Sequence, residues 1–308
     1  MKIVRGLQNI KMPACDSCVT VGVFDGVHSG HKKIISRVVA AACASGTKSI
    51  VITFDPHPAK VLNPKSKTPS LISLGHRIRL IESLGVDILV IVKFTKTFSD
   101  ISAEEFVKNV LVEKLRMRQI FVGENFYFGK DAAAGVAALK KLSRRFKFKV
   151  ITISPIKVAG HIVSSSLIRR MITCGDLHDA AKLLARPVSV LGTIVKGYGL
   201  ATELGFPTAN INPHHEVVPP CGVYAVMAHL DGRSYRGVLN IGLRPTFYSS
   251  RDEEPTIEVH LFGFKGDLYG KDIEVEFVEK IRDERKFASK EVLIKRIRAD
   301  AALAQEIL

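Results

Sequence analysis

A glycine- and histidine-rich run near the amino terminus has the residue types needed to hold a polyphosphate. It reads Thr20-Val-Gly-Val-Phe-Asp-Gly-Val-His-Ser-Gly-His31, between a predicted strand and a predicted helix. Three glycines allow tight turns and close approach of the backbone to a ligand: Gly22, Gly26 and Gly30. A helix start offers unpaired N–H groups to phosphate. His28 and His31 can donate hydrogen bonds to the phosphate oxygens that gain charge during nucleotidyl transfer.

A second set of candidate residues lies in the last third of the chain. Thr208 and Asn210 supply a hydroxyl and an amide oxygen, which are hard ligands suited to Mg²⁺ shared with nucleotide phosphates. Glu258 lies on a predicted strand and faces away from Ile257 and Val259. A carboxylate beside a substrate hydroxyl can take its proton as that oxygen attacks a γ-phosphoryl group. Taken alone, the first pair also fits a turn and Glu258 a solvent-facing strand position.

The first half of the chain alternates apolar, β-rich runs with helical periods. The predicted strands are Val19–Phe24, Ser49–Phe54, Ile88–Val92, Ile120–Val122 and Lys149–Ile153. The predicted helices are His31–Cys43, Ile101–Leu115 and Ala137–Phe146. This alternation predicts an α/β domain with a mostly parallel, Rossmann-like sheet covered by helices on both faces. Ligands bind such sheets at the carboxyl ends of the strands.

The pattern changes near Arg186-Pro187, so we expect two domains, residues 1–185 and 186–308. Short β-rich runs then follow one another: Val188–Val195, Val223–Leu230, Ser234–Ile241, Ile257–Phe262 and Ile273–Val278. Asp231-Gly232 between two of them is a hairpin signal, and a helical pattern returns after Ser289. The second domain is therefore predicted to be a small antiparallel β-barrel with a terminal helix.

Composition and charge exclude some classes of protein and leave others open. The chain has 45 Lys and Arg against 30 Asp and Glu, a net charge of +15 that favours anionic partners. The positive residues are spread along the chain, whereas a nucleic-acid footprint is usually clustered, so no nucleic-acid partner is expected. No apolar stretch is long enough to span a bilayer and the start lacks a signal peptide's apolar region. Five scattered cysteines suit a reducing compartment, and we expect a cytoplasmic protein.

The run Thr20–His31 resembles the FMN adenylyltransferase module of bacterial bifunctional riboflavin kinase/FMN adenylyltransferases, also called FAD synthetases. Three further motifs resemble that module in the same order: Thr53-Phe-Asp-Pro-His-Pro58, Val122-Gly-Glu-Asn-Phe-Tyr-Phe-Gly129 and Ser164-Ser-Ser-Leu-Ile-Arg169. Each could be a turn or a helix cap by itself. Together, at successive predicted strand ends, they make that explanation improbable.

The resemblance implies a role for each matching residue. The residues implied to bind ATP are Gly22, Phe24, Gly26, His28, His31, Ser165 and Arg169. Of these, His28 and His31 are implied to be catalytic. Asn125 is implied to contact the flavin.

The carboxyl-terminal runs resemble the riboflavin kinase module of the same family. The matching motifs are Gly205–Asn210, Gly222–Tyr224, Asn240–Phe247, Glu258–His260, Asp267–Gly270 and Arg282–Phe287. By this resemblance Thr208 and Asn210 bind Mg²⁺ with ATP, and Glu258 is the base that acts on the ribityl 5′-hydroxyl of riboflavin. The implied substrates are riboflavin, FMN and ATP, and the products are FMN and then FAD.

The sequence departs from the family pattern at three places. The usual Gly/Arg-rich flap is Gly197–Glu203 here, with Leu200 and Thr202 instead of arginines, so we expect weaker closure over phosphate at the kinase site. Tyr127 occupies a position that is often basic, and Asp131–Ala134 lacks the usual basic residue. The flavin contacts of the first site are therefore less well defined than its ATP contacts.

Two alternatives to a bifunctional enzyme remain open at this point. In one, only the FMN adenylyltransferase activity is retained, because the altered flap has weakened the kinase. In the other, the chain is a non-catalytic regulator that binds flavin or RNA through its positive charge, which salt-sensitive RNA binding without flavin turnover would reveal. The sequence does not define the oligomeric state.

Overall fold

The computed structural model divides into two compact units and describes residues 1–11, 13–65, 69–196, 206–214, 216–243 and 255–308. The first unit comprises Met1–Ser70 and Leu74–Ser165, and the second comprises Leu71–Ser73 and Ser166–Leu308. Residues 166–185, which the sequence pattern assigns to the first domain, therefore cluster with the second unit. These units describe chain packing rather than function, so the expected domain ranges 1–185 and 186–308 stay a prediction.

A six-stranded parallel sheet forms the centre of the first unit, as the strand–helix alternation predicts. Its strands are β1 Lys2–Arg5, β2 Ser17–Val21, β3 Lys48–Asp55, β4 Ile88–Lys93, β5 Met117–Gly123 and β6 Lys149–Ile153. Across the sheet they run β1-β4-β3-β2-β5-β6. The chain thus builds outward from β2 in one direction and then, from β5, in the other. Ligands bind at such a switch point, which here lies between β2 and β5.

Helices and one small ribbon surround this sheet. The helices are α1 Ser29–Ser45, α2 Pro58–Leu62, α3 Leu74–Glu82, α4 Lys96–Ser99, α5 Ala103–Glu105 and α6 Val136–Phe146. The ribbon pairs β7 Lys157–Val158 with β8 His161–Ile162. The helix predicted over Ile101–Leu115 is α5, started by a Ser102–Glu105 capping box, followed by a π-helix over Phe106–Lys114. The side chains of β2 are all buried, as expected for a strand covered on both faces.

A closed antiparallel barrel forms the centre of the second unit, confirming the predicted fold class. Its strands are β9 Ser189–Val195, β10 Ala209–Asn212, β11 Gly222–Leu230, β12 Arg233–Leu243, β13 Pro255–Leu261 and β14 Asp272–Arg282, in the order β10-β13-β12-β11-β14-β9. The helices are α7 Ser165–Cys174, α8 Leu177–Leu184 and the terminal α9 Lys290–Ile307. Asp231 and Gly232 both have positive φ, which is the two-residue hairpin geometry that their sequence predicts. No described helix is both long and apolar enough to cross a membrane.

A buried carboxylate fixes the terminal helix to the barrel. α9 packs on β11, β12 and β14, and its Asp300 is only 3% exposed. The carboxylate accepts a hydrogen bond from Arg282 Nε at 2.8 Å. Arg296 Nε lies 2.8 Å from the other oxygen, but neither of these two atoms has a well-directed hydrogen bond, so this contact is mainly electrostatic. One carboxylate therefore balances two guanidinium groups where α9 meets β14.

Asp300→Asn should destabilise the protein, because it removes the charge that balances Arg282 and Arg296 while keeping nearly the same volume. Breaking a buried ion pair on one side typically costs about 3 kcal/mol. Chemical denaturation, followed by circular dichroism, measures the free energy of unfolding. Glu306→Gln, at an exposed position of the same helix, is the control and should change it by less than about 0.5 kcal/mol. An Asp300→Asn protein as stable as this control would contradict the assignment.

Candidate active sites

The loop between β2 and α1 brings the two motif histidines to the first turn of a long helix. His28 is the N-cap of α1, and its Nδ1 accepts a hydrogen bond from the His31 backbone N–H at 3.3 Å. The helix has 17 residues and no acidic residue in its first turn. A helix start of this kind, with backbone N–H groups and the positive end of the dipole, favours an anion.

Glycine is favoured at the three positions of this motif for different structural reasons. Gly26 has φ of 84°, in the left-handed region that favours glycine. A Cβ at Gly22 would lie 2.9 Å from the ring of Phe24, and a Cβ at Gly30 would lie 3.2 Å from the ring of His28. The sequence suggests a tight turn at all three glycines, and of the three only Gly26 has a positive φ. At the other two positions a missing side chain makes room for aromatic rings of the site.

The same loop holds two non-glycine residues in the left-handed region. Phe24 has φ of 50° and Val27 has φ of 39°. Such backbone conformations cost on the order of 1–3 kcal/mol each and persist only where the surroundings enforce them. Both side chains are buried, at 3% and 0% exposure, so packing offsets part of this cost.

Hydrogen bonds to the backbone of the loop supply the rest of the constraint. Ser165 Oγ donates to the Asp25 carbonyl at 2.8 Å, so the residue expected at the nucleotide site does contact the loop. Thr53 Oγ1 donates to the Val23 carbonyl at 2.9 Å. Arg169 lies four residues beyond Ser165 on α7, in the part of the chain that clusters with the second unit, and its role at the phosphates stays a prediction.

The rings of His28 and His31 stack on each other. Their centroids are 3.6 Å apart with an angle of 16° between the planes, and the ring of Phe24 contacts His31 edge-on at 5.2 Å. Burial holds the pKa of His31 well below its usual range, and the positive charges of His28 and Arg77 lower it further. His31 Nδ1 is buried and has no hydrogen-bond partner among the residues that the structure describes.

An aromatic cavity of about 550 Å³ opens at the switch point between β2 and β5. Asn125, the expected flavin contact, and Tyr127 line it together with Gly22 of the glycine-rich loop. Its rings come from several segments: Phe54, Phe94, Phe98, Phe106, Phe126 and Phe128. Phe54, Phe94 and Phe98 form mutual contacts with centroids 5.6–5.9 Å apart. Volume and lining suit a flat aromatic ligand.

Sequence reasoning missed a charged residue beside this site. Arg77, on α3, is 3% exposed and donates from Nη1 to Thr53 Oγ1 at 3.2 Å and to the Phe54 carbonyl at 3.1 Å. Burial lowers the pKa of its guanidinium, and the charges of Asp25 and Asp55 oppose that shift. Arg77 lies outside the motifs and the predicted elements, so the sequence gives no signal that this arginine is buried beside the site.

In the second unit, a cavity of about 310 Å³ brings together Thr208, Asn210 and Glu258. Asn210 pairs with Glu258 across β10 and β13, and Glu258 pairs with Asn240 across β13 and β12. Directly paired residues share a face, so the two asparagines flank the carboxylate in one row. The neighbours of Glu258 on its own strand, at 257 and 259, are 2% and 1% exposed, and Glu258 faces the other way as expected. Asn240 is a site residue to which the sequence assigned no role.

A histidine supports the segment that carries the expected metal ligands. His260, two residues beyond Glu258, makes a 2.8 Å hydrogen bond between Nδ1 and the Pro207 carbonyl, so Nδ1 must carry the proton. Its ring also contacts Phe206 and Phe262 edge-on, at 5.8 and 5.6 Å. These contacts fix the backbone next to Thr208.

Charged residues from the end of β14 and the following segment form the remaining wall of this cavity. They are Arg282, Glu284 and Arg285, with Phe287 beside them. The ring of Phe287 lies 5.5 Å from the guanidinium of Arg282 and 5.0 Å from that of Arg285. Leu293 and Ile297 of α9 also line the cavity. Within the described parts of the chain, no group of three or more His, Cys, Asp or Glu residues could hold a metal.

The altered kinase flap lies outside the described residues. This applies to Leu200 and Thr202 and to the expectation of weaker closure over phosphate. The motif residues 244–247 also lie outside them.

Comparisons with known proteins divide the chain in the same way as the two sets of motifs. A family model described as FAD synthetase matches residues 10–167, and one described as riboflavin kinase matches residues 184–308. Proteins named bifunctional riboflavin kinase/FMN adenylyltransferase are similar over nearly their whole length. The one from Pseudomonas fluorescens is 37% identical over 100% of this chain and 98% of its own. The one from Escherichia coli strain K12 is 33% identical over 99% and 97%.

A solved structure shares the complete architecture. It is described as a macrolide-efflux protein from Streptococcus pneumoniae and superposes with a TM-score of 0.86 at 29% identity, covering 99% of both chains. The arrangement of a parallel α/β unit followed by a barrel is therefore found in a solved structure.

We expect the imidazole of His31 to titrate below the ordinary value of about 6.5, because burial and two neighbouring cationic groups disfavour its protonation. NMR titration of ¹³C-histidine-labelled protein measures this, with the His31 signal identified by its loss in His31→Asn. Arg77→Met should move the midpoint upward, toward the ordinary value. A midpoint at or above that value in the unsubstituted protein would contradict the burial argument.

The same shift has a consequence for stability. The unfolded chain binds the His31 proton at a higher pH than the folded chain does. The free energy of unfolding should therefore fall as the pH drops below about 6.5, by at most about 1.4 kcal/mol per pH unit, until the folded imidazole titrates. His31→Asn should lack this contribution when the two proteins are compared by denaturation across pH.

Proposed function

This chain belongs to the family of bifunctional riboflavin kinases/FMN adenylyltransferases, and from that membership we propose how its two sites divide the two reactions. The protein phosphorylates riboflavin to FMN and adenylylates FMN to FAD. We assign adenylyl transfer to the first unit and phosphorylation to the barrel. The observation that carries this division is that each unit has its own cavity, one lined by Asn125 and the other by Glu258.

In adenylyl transfer, a phosphate oxygen of FMN forms a bond to the α-phosphorus of ATP, and the bond from that phosphorus to the pyrophosphate oxygen breaks. Negative charge moves onto the departing pyrophosphate. The start of α1 with His28 and His31 supports a binding site for these phosphates, because it combines N–H groups with two imidazoles. Ser165 donates to the Asp25 carbonyl of the loop, and the role of Arg169 at the phosphates stays a prediction. Gly22, Phe24 and Gly26 shape the nucleotide-facing backbone.

The aromatic cavity is proposed to bind the flavin of FMN. Its phenylalanine rings offer stacking surfaces for the isoalloxazine, and Asn125 offers an amide that can bond to the polar edge of the ring system. Tyr127 is 64% exposed at the wall of this cavity, where its ring can contact the flavin but supplies no positive charge. We call the loop between β2 and α1, residues 22–28, the phosphate loop. Gly22 belongs to both this loop and the cavity, which would bring the two substrates together.

In the kinase reaction, the 5′-hydroxyl oxygen of riboflavin forms a bond to the γ-phosphorus of a second ATP, and ADP leaves. Glu258 is proposed to take the proton of that hydroxyl. A general base needs a carboxylate inside the substrate cavity, and Glu258 lines it between two asparagines. His260 keeps the Thr208 segment in place through the Pro207 carbonyl.

Thr208 and Asn210 are proposed to hold Mg²⁺ together with the phosphates of ATP. Both present oxygen donors to the same cavity as Glu258, and oxygen donors are the ligands that this ion prefers. A magnesium ion there would neutralise charge that develops on the transferred phosphoryl group. The two residues would hold this ion in the cavity that Glu258 also lines.

The remaining alternatives gain no support from these findings. Family models match both halves of the chain, and the relatives align over nearly their full length, which favours two activities over adenylyl transfer alone. A regulator binding flavin or RNA without catalysis is favoured by no observation. We also propose a cytoplasmic location, with riboflavin, FMN and ATP as the partners.

Single substitutions should separate the two activities. Glu258→Gln should lower riboflavin phosphorylation by about 10²–10⁴-fold, the range typical for loss of a general base, and leave FMN-to-FAD conversion unchanged. His31→Ala should lower FAD formation from FMN by about 10²-fold or more and spare the kinase. Chromatography of the flavins after incubation with ATP and Mg²⁺ measures both, and each reaction is the control for the other. Loss of both activities in either folded variant would refute the division, and neither FMN nor FAD from the unsubstituted protein would refute the function.

Asn210→Ala should raise the Mg²⁺ concentration that gives half-maximal kinase activity, because one oxygen donor is lost. An increase of about tenfold is expected, and the Mg²⁺ dependence of FAD formation should not change. Asn212→Ala, two residues further along β10 and outside the cavity, is the matched control. Identical Mg²⁺ dependence in both variants would remove Asn210 from the metal site.

A further inference from the structure

Arg77 is a buried cation to which adenylyl transfer as described above gives no role. It lies in the middle of α3, between Leu74 and Glu82, and only 3% of it is exposed. Taking a guanidinium out of water is expensive unless the group is well paired. The exposed Arg79 on the same helix shows that an arginine here does not have to be buried. The burial of Arg77 therefore needs a compensating interaction.

The hydrogen bonds of Arg77 reach the carboxyl end of one strand, β3. Nη1 donates to the Phe54 carbonyl and to Thr53 Oγ1, near the carboxyl end of β3. The Thr53 hydroxyl accepts a hydrogen bond from Arg77 and donates one to the Val23 carbonyl at 2.9 Å. Val23 belongs to the loop between β2 and α1. The chain Arg77–Thr53–Val23 thus joins α3, β3 and the phosphate loop through one threonine hydroxyl.

The conformation of the phosphate loop explains why this connection matters. Phe24 and Val27 lie in the left-handed region, which disfavours the loop unless other contacts enforce it. The Val23 carbonyl directly precedes Phe24, so the Thr53 hydrogen bond acts at the start of the strained segment. Ser165 acts in the same way at the Asp25 carbonyl.

The charge of Arg77 also acts on the phosphate loop. Its positive charge disfavours protonation of His31, and the charges of Asp25 and Asp55 stabilise the guanidinium. Inside a protein such interactions are much less screened than in water. A cation in this position raises the electrostatic potential where the polyphosphate is expected, without touching it.

We propose that Arg77 is a positioning residue for adenylyl transfer: through Thr53 it holds the phosphate loop in the conformation that receives ATP, and it places a buried positive charge behind that loop. The proposal rests on the adenylyl-transfer role assigned to the first unit. It differs from a purely structural role because it concerns ATP binding rather than folding. The kinase site in the barrel should be indifferent to Arg77.

Arg77→Met tests the proposal in the full-length protein, with FMN, ATP and Mg²⁺ as reactants. The KM for ATP in FAD formation should rise at least about tenfold, which is the change expected when a charge-assisted hydrogen bond is lost. Arg77→Lys should recover part of this loss, since it keeps the charge but cannot bridge two acceptors in the same way. Arg79→Met removes an exposed cation from the same helix and is the matched control. Riboflavin phosphorylation by each preparation should keep its KM and kcat.

A second pair of variants tests the Thr53 hydroxyl by itself. It remains informative if Arg77→Met does not fold. Thr53→Val removes the shared hydroxyl at nearly constant volume and should raise the KM for ATP, whereas Thr53→Ser should not. A folded Arg77→Met or Thr53→Val protein with unchanged KM for ATP, and only a lower melting temperature, would overturn the positioning role. If the unsubstituted protein formed no FAD from FMN, the proposed function itself would fail. The two failures are therefore distinguishable.

Discussion

The loop between β2 and α1 is the constraint on which the first unit depends. An anion site built from backbone N–H groups needs the chain to turn sharply at a strand end and enter a helix at once. Here the turn uses positive φ at Phe24 and Val27 as well as at Gly26. Side chains can hold that conformation only where packing and hydrogen bonds enforce it, so the cavity, the stacked histidines and α1 all depend on the groups behind the loop. Thr53 and Ser165 are two such groups, each bonded to a loop carbonyl.

In the barrel, the candidate site residues are positioned by strand pairing, and none of them has a positive φ. Asn210, Glu258 and Asn240 are directly paired on three neighbouring strands, so the ladder itself sets their spacing. The closed barrel leaves no free edge along which these strands could slip in register. The remaining wall of the cavity is formed by α9 and the segment after β14. The ion pair between Asp300 and Arg282 fixes that wall to the barrel.

The sequence predicts elements whose apolar period is strong and misses those that tertiary contacts create. The sheet, the barrel and most of their strands follow from alternating and continuous apolar runs, but β1 and β10 do not. β1 is largely exposed and carries charged residues at both ends, and β10 contains the two asparagines that favour turns. Among the candidate site residues, the motifs led to Glu258 and Asn125, and the structure places each of them at a cavity. The sequence does not indicate a role for Arg77, because arginines are common on helices. Only the fold places it next to Thr53, which bonds to the phosphate loop.

The two nucleophiles explain why the two sites carry different residues. The acceptor in the kinase reaction is an alcohol, which is weakly acidic and attacks efficiently only if a base removes its proton, so a carboxylate such as Glu258 is useful there. The acceptor in adenylyl transfer is the phosphate of FMN, which is already an anion and needs no base. Its difficulty is repulsion from a polyphosphate, which the imidazoles, helix N–H groups and buried arginine proposed for this site would relieve. Asp25, a buried carboxylate close to that site, stabilises the charge of Arg77, and its own negative charge is thereby partly balanced. A carboxylate base has no use where the acceptor is already an anion, so the two acceptors favour different residues.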